Sequence, residues 1–200
     1  MKSKISFLFA AMIAATAFLG SAFTPAPTVA NVDVKSSVVT WKGYKVTGEH
    51  AGTVNVKSGK LEFNNGVLTG GSFEIDMNTI KTTDLQGEWA AKLDGHLKND
   101  DFFGVTKYPT AKLVITKVVS KGKPGAYKVT GNLTIKAATK EIKFDTQLTE
   151  AGNQVTAESA IRLDRTDFDV KYGSGSFFDG LGDKTIYDEF DLNVKLVATK

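Results

Sequence analysis

From about residue 36 onward, apolar and polar residues alternate in steps of two. In YKVTGNLTI, Tyr127, Val129, Gly131, Leu133 and Ile135 are apolar or small, and Lys128, Thr130, Asn132 and Thr134 between them are polar. EIKFDTQL sets Ile142, Phe144 and Leu148 against Glu141, Lys143, Asp145 and Gln147. The same alternation runs through Val155, Ala157, Ser159, Ile161 and Leu163, and again through Ile186, Phe190, Leu192, Val194 and Leu196. A period of two with one polar face is the pattern of antiparallel strands packed on one side. Further strands are expected at Val38–Val46, Gly52–Val56, Lys60–Phe63, Val67–Met77 and Ala111–Val119, with turns at KSGK, NNG and KGKPG. Roughly eight or nine short strands imply a sandwich or an up-and-down barrel. Nothing along the chain divides it into two domains.

One segment changes period. Leu85, Trp89, Leu93 and Leu97 recur at every fourth position, one face of an amphipathic helix. Thr83 with Gln86 resembles a capping box at its start, and Asn99 is placed to end it in a left-handed conformation.

The inward set of the strands is not uniformly bulky: Gly43, Gly71, Gly131, Ala157 and Ser159 sit among Val, Ile, Leu and Phe. A small barrel filled by its own side chains needs volume at most inward positions. Small residues there either leave a cavity or relieve crowding where strands coil tightly. Parity alone leaves both open.

The first residues are of another kind. Lys2 and Lys4 precede the apolar run ISFLFAAMIAATAFLG, and small residues follow, with cleavage sites after Ala22 or as late as Ala30. That order is a secretory signal peptide, spanning 1–22. The run of about 16 residues is shorter than the ~20 of a spanning helix, so no stable membrane anchor is expected. Periplasmic or secreted localisation follows, with the domain at 36–199. The formal charge of +3 falls to about +1 without Lys2 and Lys4, and no basic run exists, which argues against a nucleic-acid partner. The chain has no cysteine and hence neither disulfide nor thiolate metal site.

Candidate chemistry is sparse. His50 and His96 belong to no metal-binding spacing, so no metal is expected. Each reads as a hydrogen-bonded histidine near a turn or helix end, or as a polar contact to a ligand head group. There is no nucleophile elbow. In HLKNDDFFGVTKYP, Asp100 and Asp101 fit a turn cap better than a catalytic pair, with Asp101 as the cap. Gly-rich YGSGSFFDGLGDKT lacks a phosphate-binding ending and reads as a loop over one barrel end. It carries Phe177–Phe178, a second Phe-Phe pair beside Phe102–Phe103.

HLKNDDFFGVTKYPTAKL closely resembles the L-K-S-x-D-F-F-D-V-x-x-Y-P-x-A signature of the YceI-like, lipid/polyisoprenoid-binding family. VVTWKGYKVTGEHAGTV, GGSFEIDMNTI, YKVTGNLTIKAATKEIKF, RLDRTDFDV and DKTIYDEFDLNVKLVA match other family segments in order, so the resemblance covers about residues 36–198. Gly104, Ala137 and Asp169 depart from the pattern, each in a turn. The resemblance implies an all-β, lipocalin-like antiparallel barrel of about eight strands with one short helix, closed around an apolar tunnel. The implied partner is a long isoprenoid or fatty-acyl chain. No cofactor is expected, and the lack of an activated nucleophile argues against an enzyme. By strand parity the tunnel is expected to be lined by Trp41, Phe73, Ile75, Met77, Leu133, Ile135, Phe144, Ile161, Phe190 and Leu192. Trp89 and Leu93 would cover one side or the mouth, Phe102 and Phe103 would fold in beside it, and His50 and His96 would meet a head group. Two other readings compete: an enzyme acting on a lipid, and a filled barrel gripped from outside by partners. Some relatives pair, so a homodimer is a further expectation.

Overall fold

A computed structural model describes residues 27–200; the signal peptide expected at 1–22 lies outside the described residues. Nine strands follow one another: β1 (Thr28–Val32), β2 (Val38–Lys45), β3 (Gly48–Asn64), β4 (Val67–Thr82), β5 (Thr110–Ser120), β6 (Ala126–Ile135), β7 (Ala138–Ala151), β8 (Gln154–Asp164) and β9 (Ile186–Thr199). Among the described residues one α-helix, α1 (Gly87–Lys98), joins β4 to β5. Each strand from β2 to β9 pairs antiparallel with the next, and β2 pairs with β9, so the sheet closes.

The ninth strand adds no ninth place to the barrel. β1 pairs with β3 at Thr28↔Phe63 and with β9 at Val32↔Ala198, while β2 pairs with the other halves of the same two strands. β1 and β2 are thus one strand position broken by a turn. Asp33 makes the break: its carboxylate accepts from Lys35 N (2.9 Å) and Ser36 Oγ (2.7 Å), competing locally with the ladder. Ser37 Oγ then accepts from Val197 N at 3.0 Å, filling the vacant ladder position. Ala30 is fully buried, so the barrel begins before residue 36, and a cut after Ala30 would fall inside β1.

KSGK is not a turn. β3 runs through it, and the register slips between Val56 and Ser58, a bulge that bends the strand. NNG does turn: Asn65 (φ 52°) and Gly66 (φ 76°) give the paired left-handed residues of a tight hairpin. The helix starts two residues later than its apolar stripe suggested. Gln86 is its N-cap without a side-chain bond, so the Thr83–Gln86 box does not form. Asn99 is extended (φ −69°) rather than left-handed. It nevertheless organises the next turn: its carbonyl accepts from Phe102 N and Gly104 N, and its side chain accepts from Asp100 N at 2.7 Å. Asn99 therefore does the capping assigned to Asp101, because its side chain reaches the first free amide after the helix.

Phe63, Leu61, Leu68, Val155 and Ala198 are buried and fill the lower end of the barrel, beneath β1. Its upper end is where β2 and β3 meet, where α1 crosses, and where β8 hands over to β9. There the interior is open.

Candidate functional site

The interior above the packed end holds two neighbouring apolar chambers. The upper has a cavity volume of about 200 Å³ and the lower about 110 Å³. Val39, Ile75, Leu133 and Leu192 border both and mark the waist between them. Trp41, Met77, Ile135 and Phe190 line the upper chamber from the strands, and Leu93, Phe102 and Phe103 from α1 and the turn after it. Phe73, Phe144 and Ile161 line the lower one. His50 and His96 stand at the upper rim.

Trp89 is not among the lining residues: it is 69% exposed, with Lys92 Nζ 5.7 Å from its ring centre. Four residues overshoot a 3.6-residue turn by about 40°, so a stripe at every fourth position drifts round the helix. Leu93, His96 and Leu97 face the tunnel and Trp89 turns away from it. Sequence parity also passed over Arg165, which follows the end of β8, and Tyr187 and Glu189, which stand at polar-face positions near the start of β9.

Small inward residues have two different causes. A Cβ on Gly71 would sit 2.6 Å from Lys60 O, and one on Gly131 2.9 Å from Val114 O. Those glycines permit close backbone approach. Gly43 has nothing within 4 Å of its Cβ position and borders the upper chamber, while Ala157 and Ser159 border the lower. Those leave room. Gly52 serves the wall itself: opposite it in the β2–β3 ladder lies Trp41, whose ring would be 2.5 Å from a Cβ there. Only glycine lets that ring lie against the strand. Trp41 Nε1 is buried without a partner among the described residues.

At the rim, His50 Nδ1 lies 2.9 Å from Asp84 Oδ2, and Asp84 Oδ1 accepts from Thr82 Oγ1 at 2.6 Å. Burial would raise the Asp84 pKa, but the hydrogen bonds from Thr82, His50 and the Ala51 amide outweigh it and hold the carboxylate at about 2. Asp84 is thus a charged acceptor that fixes the His50 ring by one nitrogen. His96 is held differently, edge-on between Phe102 (5.2 Å) and Tyr172 (4.5 Å). Arg165 is buried and donates to Val170 O (2.7 Å), Ile186 O (3.0 Å), Tyr187 O (3.0 Å) and Asp188 Oδ1 (3.2 Å). Burial pushes its pKa down, and the nearby Asp188 and Asp164 charges oppose that. Its donors go to the protein, so it fastens the segment after β8 to the start of β9 and shapes the mouth.

No described helix is long and apolar enough to cross a membrane. Among the described residues, no three His, Cys, Asp or Glu side chains are grouped to hold a metal. A closed up-and-down barrel with an apolar interior and a polar rim is the architecture of a small-ligand container. The YceI-like domain matches residues 31–198, and the chain belongs to that family. The UPF0312 protein VPA0850 of Vibrio parahaemolyticus is 32% identical over 135 residues, 64% of this chain and 69% of that protein. Burkholderia cenocepacia BcnA has a similar crystal structure, with a TM-score of 0.68 and 22% identity over 84% of this chain and 99% of that one. A polyisoprenoid binding domain from Saccharophagus degradans, implicated in plant cell wall breakdown, follows at TM-score 0.62 and 12% identity, covering 85% and 97%. At these identities the two structures share the fold.

Proposed function

We propose that this protein is an exported carrier or buffer for one long apolar chain, an isoprenoid or a fatty-acyl chain, held in the barrel with its polar head at His50 and His96. The observation that carries this reading is the pair of adjoining apolar chambers, with four lining residues in common and two imidazoles among those lining the upper one. The polyisoprenoid-binding domain of the same fold adds to it. Burial of each methylene group is worth ~0.8 kcal/mol, so chain length sets affinity and the head sets direction. The ring of His50, fixed through Nδ1 by Asp84, offers its other nitrogen to a hydroxyl, carbonyl or acid head. The open chambers speak against a filled barrel. The His50–Asp84 pair orients an imidazole as a catalytic base is oriented, but among the described residues no hydroxyl is bonded to His50, and Thr82 binds Asp84 instead. That favours binding over turnover.

Export rests on the leader, with cleavage after Ala22 because that cut keeps β1 whole. One experiment tests both parts: native mass spectrometry of the protein taken from its own host without detergent. The expected spectrum shows a chain beginning at Phe23 plus a mass that organic extraction removes. A bare chain that also fails to load isoprenoid or fatty alcohol sinks the carrier reading. A chain beginning at Asn31 sinks the cleavage assignment.

A further inference from the structure

The exposed aromatic residues among those described are Trp89, Tyr172, Phe177, Phe178 and Tyr187; Tyr187 borders the upper chamber, and Tyr172 packs on His96, which also lines it. Elsewhere the large exposed apolar residues are valines, such as Val29, Val67 and Val119. The Phe177–Phe178 pair does not dangle. Both amides donate to the carbonyl of Ser174, which is fully buried, and Ser176 Oγ donates to Asp188 at 2.6 Å. Thr185 O, further along the same loop, accepts from Val46 N in the β2–β3 turn. An anchored loop thus holds two phenylalanines outward at half exposure. Trp89 projects to solvent from the first turn of α1, the helix whose Leu93, His96 and Leu97 line the upper chamber.

Charges of both signs are interleaved with these rings. Lys171 Nζ lies 5.0 Å from the Phe177 ring and Lys92 Nζ 5.7 Å from Trp89. Glu88 adjoins Trp89, and Asp179 and Asp183 share the loop with Phe177 and Phe178. A surface of aromatic rings flanked by both charges complements a headgroup layer that itself carries ammonium and phosphate. Tyr187 belongs to this surface and also borders the upper chamber, so the patch is continuous with the tunnel. We propose that the mouth rim docks the barrel on a zwitterionic phospholipid bilayer, with Phe177, Phe178 and Trp89 entering the headgroup layer. The inference rests on the carrier reading for what would cross between bilayer and tunnel.

The test is co-sedimentation of the mature protein with phosphatidylcholine–phosphatidylethanolamine vesicles. Phosphatidylglycerol vesicles and a salt series serve as comparators, and sedimentation velocity measures self-association. The wild type is expected to partition onto zwitterionic vesicles with little salt dependence. Phe177→Ser/Phe178→Ser should lower partitioning about tenfold or more, and Trp89→Ser should lower it independently. Uptake of a soluble alkyl alcohol should be unchanged in both variants, because none of the three residues lines the tunnel. The proposal is overturned by a wild type that does not partition, by variants that partition equally, or by a requirement for phosphatidylglycerol. It is also overturned by a homodimer that the double substitution dissolves, since a second copy then covers the patch. Vesicle binding without alcohol uptake upholds docking and removes the carrier reading.

Discussion

Leu192→Trp is expected to cut the tunnel at its waist. Leu192 borders both chambers and pairs across the ladders with Trp41 and Ile161, so an indole there fills the boundary between them. Taking a water's share of liquid volume, ~30 Å³, as the room for one methylene-sized group, the upper chamber holds about six or seven groups and the lower about four. At ~0.8 kcal/mol each, the lower chamber contributes about 3 kcal/mol, or over 100-fold in affinity. A series of straight-chain alcohols from about six to about fourteen carbons, measured by calorimetry or probe displacement, reads this directly. In the wild type affinity should rise about fourfold per methylene and level off near ten or eleven groups. In Leu192→Trp it should level off near six or seven, leaving the shortest alcohols unaffected. Overpacking costs ~1–3 kcal/mol of stability, so a thermal melt must show the variant folded at the assay temperature. Leu192→Ala is the control: it removes the constriction and should preserve the long-chain gain. If the folded Trp variant keeps the full wild-type slope, the chain does not pass the waist and the two-chamber account is refuted.

Two further outcomes follow from the same geometry. Gly52→Ala places a methyl 2.0 Å from Lys81 O and 2.5 Å from the Trp41 ring; about 3 kcal/mol of destabilisation is expected, a fall in Tm of about 5–10 °C, and an unchanged melt would disprove the packing argument. Asp84 has its folded pKa lowered from 3.8 to about 2, so its contribution to stability is present above pH 4 and lost as pH falls through 2. The Tm advantage of wild type over Asp84→Asn should therefore shrink across that window, and an advantage that grows on acidification would contradict the sign.

The alternation that marked the strands survives in the structure because each inward position faces one common interior. It placed β6, β8 and β9 within a few residues at either end. It failed at KSGK because a bulge is decided by the partner strand, and β4 was invisible to a reading of β3 alone. It also could not decide whether the barrel was hollow. Gly131 and Gly43 are the same residue type on the same face, yet one yields to Val114 O and the other borders open space. The difference lies in how near the neighbouring backbone comes, which no single strand encodes.

The two Phe-Phe pairs make the same point about the site. Phe102 and Phe103 follow a helix whose last carbonyls take up their amides, Asn99 O to Phe102 N and Leu97 O to Phe103 N. Those bonds turn the chain back under α1 and set both rings against the upper chamber. Phe177 and Phe178 sit in a loop whose amides are taken up by Ser174 O, and Ser174 is itself buried. Buried Arg165 meanwhile fastens Val170 to Ile186 and Tyr187 at the loop's two ends. With its base held inside, the loop leaves its apolar tip outside. Identical dipeptides thus end in opposite settings, and the carbonyls that capture their amides, Asn99 O and Leu97 O for one pair and Ser174 O for the other, set which becomes chamber wall and which stays outside.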